Sequence, residues 1–164
     1  MTTRRIFLML AVAAVAGAII VLPYISSLTA VGLDKVTIEL SYVEFVPANS
    51  EQRTGQIDIV FHVTNPTDKT VTTSKIEYNL FADNVQLGDS ILSFEDIPPN
   101  GRPAILPQQS INLTSSFQIV PSQSTEAIFS RIANDPSDIN WRVQGEARVE
   151  SAITLEDKQF DDEL

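Results

Sequence analysis

The stretch Ile57-Asp58-Ile59-Val60-Phe61-His62-Val63-Thr64-Asn65-Pro66 decides the fold. Ile57, Ile59, Phe61 and Val63 share one face at period two, with Asp58, Val60, His62 and Thr64 on the other, the pattern of a strand buried on one side. Pro66 ends it by removing a ladder donor, and Asn65 and Asp68 suit a turn. Upstream, Val36, Ile38 and Leu40 alternate with Thr37 and Glu39, then Val43 and Phe45 resume on the opposite phase around Tyr42, which predicts a bulge or bend. Downstream, Val71, Ile76, Tyr78 and Leu80 form a strand that continues through Asp83-Asn84 into Val85 and Leu87, a hairpin over Ile76 to Ile91. A two-residue turn needs positive φ, which Asn and Asp tolerate better than other side chains. Ile97-Pro98-Pro99-Asn100-Gly101 can be neither helix nor central strand and reads as a crossing between sheets. Ile111, Leu113, Ser115, Phe117 and Ile119 alternate as a further strand. Pro121-Ser122-Gln123-Ser124 offers hydroxyl caps to one short α-helix with an apolar stripe of Ala127, Ile128, Phe129 and Ile132, stopped at Asn134-Asp135-Pro136. Ile139, Trp141, Val143, Gly145, Ala147 and Val149 give a strand, and Ile153 and Leu155 a weaker continuation. The fold class is mainly β, an antiparallel two-sheet β-sandwich with one helix.

Ahead of this domain, Arg4 and Arg5 precede a run from Ile6 to Leu22 without a charged or strongly polar side chain, closing on Pro23, Tyr24 and Ile25. At ~1.5 Å per residue, about twenty such residues match the ~30 Å hydrocarbon core of a bilayer. The positive-inside rule puts the N-terminus in the cytoplasm and the rest outside. A cleaved signal peptide has the same outline, but the apolar run is longer than a usual signal core. The expected organisation is residues 1–5 cytoplasmic, 6–25 a single-pass transmembrane anchor, 26–34 a linker, 35–155 the sandwich and 156–164 an acidic C-terminal tail.

The net charge is −10, and the two N-terminal arginines fall outside the expected exported part, which is more acidic still. Such a surface repels nucleic acid and anionic headgroups. Without cysteine the domain has no disulfide, no thiol nucleophile and no Cys-based metal site. Asn112-Leu113-Thr114 is a glycosylation sequon, and the terminal Asp161-Asp162-Glu163-Leu164 only brushes against lumenal retention signals.

Taken in order, Phe61-His62-Val63-Thr64-Asn65-Pro66, Ile76-Glu77-Tyr78-Asn79-Leu80, Ile97-Pro98-Pro99-Asn100-Gly101, the strand and helix from Ile111 to Ala133, and Trp141-Arg142-Val143-Gln144-Gly145 resemble the water-stress and hypersensitive-response (WHy) domain. That domain is found in the folded, type 2 late embryogenesis abundant (LEA) proteins and in archaeal and bacterial relatives. The likeness spans about Lys35 to Val149. It implies a fibronectin-III-like sandwich with one helix, a role in protection under desiccation or similar stress, and no catalytic residues to transfer. On this likeness Asn65, Pro66, Tyr78, Ile97, Pro98, Asn100, Gly101, Trp141 and Gly145 are structural motif positions. The sequence departs from the family at Asp83-Asn84, where a glycine is usual, and in its acidic tail.

Catalytic candidates are few. His62 is the single histidine, outward-facing within a strand and without a serine fixed beside it, which argues against a hydrolase. One histidine and no cysteine leave no usual transition-metal ligand set. Asp157, Asp161, Asp162 and Glu163 lack the spacing and turn glycine of a calcium loop and read as a solvated tail. Glu95 and Asp96 sit at the rim of the proline crossing, and Trp141 reads as core. No catalytic, cofactor-binding or metal residue is expected, and no cofactor. The expected function is non-catalytic stress protection at the cell surface, with the membrane as partner. The alternative is an accessory interaction subunit of a membrane or envelope complex, touching its partner through a sheet edge or the crossing, with Ile105 and Leu106 as contact residues.

Overall fold

The computed structural model describes residues 15–17, 19, 32–49 and 54–164. Residues 15–17 and 19 are helical; the rest of the expected anchor at 6–25 lies outside the described residues, as do residues 26–31 of the expected linker. Among the described residues no helix is long and apolar enough to cross a membrane. Gly32–Leu164 forms one compact unit.

That unit is two antiparallel sheets. The first contains β1 (Thr37–Asn49), β2 (Thr54–Asn65) and β6 (Gln109–Ile119), in the order β1-β2-β6. The second contains β3 (Val71–Ala82), β4 (Val85–Ser93), β7 (Trp141–Glu150) and β8 (Leu155–Glu163), in the order β4-β3-β7-β8, with the two-residue β5 (Ala104–Ile105) beside the start of β3. The period-two readings hold except at Ile153 and Leu155, which do not continue the Trp141 strand: Ile153 is 70% exposed in the turn after β7, and Leu155 opens β8. In β2 the inward Ile57, Ile59, Phe61 and Val63 are fully buried, and from β3 and β7 come Ile76, Tyr78, Leu80, Trp141, Val143, Ala147 and Val149. The phase change at Tyr42 is a register shift between Leu40 and Tyr42 opposite β2, which returns Val43 and Phe45 to the inner face. Asp83 and Asn84 have φ of 47° and 66°, the two positive values of a type I′ turn, and join β3 to β4 as expected.

The helix, α1 (Glu126–Asn134), is shorter at its start than the caps at Ser122 and Ser124 suggested. Ser122 instead accepts at its carbonyl from the amides of Thr125 and Glu126, and its own amide donates to Thr125 Oγ1 at 2.9 Å, so the first turn is spent on a loop. Ile128, Phe129 and Ile132 are buried, whereas Ala127 is exposed. Phe129 meets Phe45 edge-on, ring centroids 6.0 Å apart, and so covers the far half of β1.

Two boundaries need correction. Leu33, placed in the linker, is 2% exposed and opens the core from a 3₁₀ turn at Leu33–Lys35. The acidic stretch 156–164, expected to be a solvated tail, is β8, paired with β7 from Glu150↔Leu155 to Arg142↔Glu163. Its physical basis is charge pairing. Arg148 Nε donates to Asp157 Oδ1 at 2.7 Å and Arg142 Nε to Asp161 Oδ1 at 2.6 Å, while Phe160 turns inward onto Phe61, centroids 5.8 Å apart.

Candidate functional site

Asn65 is the polar centre of one end of the sandwich, at the β2–β3 turn. Fully buried, its Nδ2 donates towards the carbonyls of Lys69 (2.8 Å), Ile105 (2.9 Å) and Leu106 (3.1 Å), and its Oδ1 accepts from the amide of Thr67 (3.0 Å) and Thr67 Oγ1 (2.7 Å). One amide thus ties the β2–β3 turn to the segment that follows β5. A buried amide is tolerated only when so satisfied. Pro66 is exposed, and Gln108, at φ 59°, closes the same knot by donating to the carbonyl of Thr67 at 3.0 Å.

Tyr78 spans the two sheets. Its ring packs on Phe61 at 5.1 Å and its hydroxyl donates to Ser115 Oγ at 2.9 Å. Gly145 lies opposite Tyr78 on β7, where a Cβ would fall 2.0 Å from the Glu77 carbonyl oxygen. Only glycine allows that approach. Trp141 is 4% exposed, as expected of a core residue.

The crossing at Ile97, Pro98, Asn100 and Gly101 is exposed and includes a 3₁₀ turn at Pro99–Gly101. Arg102, which periodicity does not single out, pins it. Its Nε donates to the Ile97 carbonyl at 2.9 Å, and its guanidinium pairs with Glu150 at 2.7 Å, both side chains largely buried. Of the two candidate contact residues, Ile105 is fully buried, paired with Val71 and bonded to Asn65 through its carbonyl, so it is not available to a partner. Leu106 is 49% exposed.

The outer face of the second sheet is a lattice of ion pairs. Lys75 meets Glu77 at 2.7 Å, Arg148 bridges Asp157 and Glu95, Arg142 holds Asp161, and Gln159 donates to Glu146. The hydrogen bonds from Arg148 and Arg142 hold the Asp157 and Asp161 carboxyls below the usual carboxylate range, and Glu77 raises the Lys75 ammonium. Asp162 points the other way and accepts from the Leu40 amide at 2.7 Å, and Lys158 reaches the carbonyls of Leu33 and Asp34. The four acidic residues at the C-terminal end are therefore spread over both faces of β8 rather than gathered. The outer face of the first sheet carries Asp58, His62, Asn112 and Ser116, with His62 Nδ1 2.8 Å from Asn112 Oδ1. Among the described residues no group of three or more acidic or histidine side chains could hold a metal ion.

No protein-family model and no curated protein matches this chain. Solved structures do. A solution structure of an Arabidopsis thaliana protein is 11% identical over 77% of this chain and 79% of its own, with a TM-score of 0.52. A crystal structure of a protein from Archaeoglobus fulgidus is 18% identical over 77% of this chain and 94% of its own, at 0.47. A solution structure described as that of a candidate late embryogenesis abundant protein is 11% identical over 79% and 71%, at 0.46. At 11% identity the likeness to the Arabidopsis thaliana protein is one of fold.

Proposed function

We propose that this chain is a LEA-2/WHy-like sandwich, fibronectin-like in form, held at the outer face of a membrane by its N-terminal helix, where it protects the cell surface under water stress without catalysing a reaction. The observation that carries this reading is the run Ile6 to Leu22 behind Arg4 and Arg5, set ahead of a compact acidic sandwich. The paired carboxylates on the second sheet support it, because a charged, strongly hydrated surface keeps neighbouring molecules apart and soluble. The test is drying and rehydration of a labile enzyme beside vesicles carrying the full-length chain. More activity survives than with vesicles carrying an unrelated anchored domain of equal charge; equal survival contradicts the reading.

A second reading, an accessory subunit, draws on Ile97 and Leu106, which leave apolar surface exposed at the crossing (39% and 49%). It predicts a partner that copurifies in fixed ratio from the native membrane in mild detergent and is lost with Leu106→Asp. Arrival of the chain without a stoichiometric partner contradicts it.

A further inference from the structure

Each sheet leaves two edge strands, and three of the four carry devices that discourage pairing with another strand. β1 has two register shifts, Pro47, Glu39 and Glu44. β4 is bulged opposite Leu80/Phe81 and contains Gly88 and Asp89. β8 carries Glu156, Asp157, Lys158, Asp161, Asp162 and Glu163. β6 has none of these. Its sequence, QSINLTSSFQI, contains no charge, no proline and no glycine, and it pairs with β2 without a break from Gly55↔Ile119 to Asn65↔Gln109. Among the described residues its other edge pairs with no strand. Proteins of ordinary design blunt such an edge, because a long, flat, uncharged strand offers its free amides and carbonyls to another chain.

We propose that β6 pairs antiparallel with β6 of a second copy of this chain, making one continuous sheet in the order β1-β2-β6-β6-β2-β1. Full overlap of the 11 residues puts the two-fold axis at Thr114, the midpoint of Gln109–Ile119. That register sets Ser110 opposite Gln118 and Asn112 opposite Ser116 on the outer face, and Ile111 opposite Phe117 and Leu113 opposite Ser115 on the inner face. Within the central nine pairs apolar side chains meet apolar or small ones and amides meet hydroxyls, and only the two end pairs set Gln109 against Ile119. An occupant needs this same alternation without charge, and β6 itself supplies it. A chain of net charge −10 repels its own copies, and β6 is where two copies meet with no like charges opposed. The pairing is isologous and closes at two, since the outermost strands of the joined sheet are the bulged, proline-bearing β1.

The absence of cysteine makes the test direct. The full-length chain carrying Thr114→Cys is oxidised mildly in its membrane and in detergent, beside Val60→Cys, which sits opposite Thr114 on β2. Opposed Cα atoms in such a pair are ~4.5–5.5 Å apart, within disulfide reach, whereas Val60 is about three strand spacings from its copy, ~14 Å. The expected result is a disulfide dimer with Thr114→Cys and not with Val60→Cys, and a dimeric mass for the unmodified chain that halves with Thr114→Lys while its β-sheet circular dichroism is kept. A monomeric mass, a dimer that survives Thr114→Lys and so pairs elsewhere, or equal cross-linking of both cysteine variants overturns the proposal. Should Thr114→Lys fail to fold, the cysteine pair decides alone.

Discussion

Replacing Asn65 by alanine strips the Lys69, Ile105 and Leu106 carbonyls and the Thr67 amide of their common partner. The Lys69 and Leu106 carbonyls keep the Thr67 hydroxyl and the Gln109 amide, so the loss falls chiefly on the Ile105 carbonyl and the Thr67 amide; at about 1–3 kcal/mol for each buried polar group left unpaired, Asn65→Ala should lose about 2 kcal/mol or more in urea denaturation. Asn65→Asp should lose no less, because it turns an oxygen toward those carbonyls. Asn112→Ala, on the exposed outer face, should stay within about 0.5 kcal/mol. Gly145→Ala drives a methyl against the Glu77 carbonyl and should lose about 1–3 kcal/mol or more. A thermal melt unchanged by Gly145→Ala would show that β3 and β7 part easily there. Neither role is readable in the chain. Asn-Pro after a strand is an ordinary turn signal, and the carbonyls that make Asn65 indispensable come from some forty residues downstream. Gly145 sits where an alternating strand places an inward residue, and nothing local says that the space is taken by a neighbouring main chain.

At the scale of elements, the strands that bury apolar side chains were legible because burial itself writes the period. β2, the β3–β4 hairpin, the bulge at Tyr42 and the inward Trp141 follow from residue type and spacing alone. β8 does not. Its inward positions are Glu156, Lys158, Phe160 and Asp162, only one of them apolar, and Lys158 and Asp162 turn to main-chain atoms of Leu33, Asp34 and Leu40. A strand held by ion pairs to its neighbour and by side chains across the seam looks, in sequence, like a solvated tail. Its pH dependence follows from the same bonds. Asp157 and Asp161 titrate below their unfolded value of ~3.9, so the stability they contribute is fully present above about pH 4 and is lost as pH falls through their folded values. Hydrogen exchange should therefore show the β8 amides protected at neutral pH and opening before those of β2 as the pH is taken below about 4. Simultaneous opening of β2 and β8 would mean that the arginine pairs do not hold β8.

At the scale of the whole molecule, an apolar N-terminal run precedes a sandwich with an acidic surface whose carboxylates are in part paired with arginine and lysine. The sandwich is specified by its own core, and Leu33 shows that it begins inside the expected linker. On the proposed function, what the chain does depends on where that sandwich is held. The most direct measurement is the mass and sidedness of the full-length chain in sealed, right-side-out membranes washed at alkaline pH. The account predicts an intact 18.0 kDa chain that stays with the membrane and whose exposed Lys69 is labelled by an impermeant amine reagent from outside. A shortened chain released in the wash, or a lysine labelled only after the vesicles are opened, would contradict it.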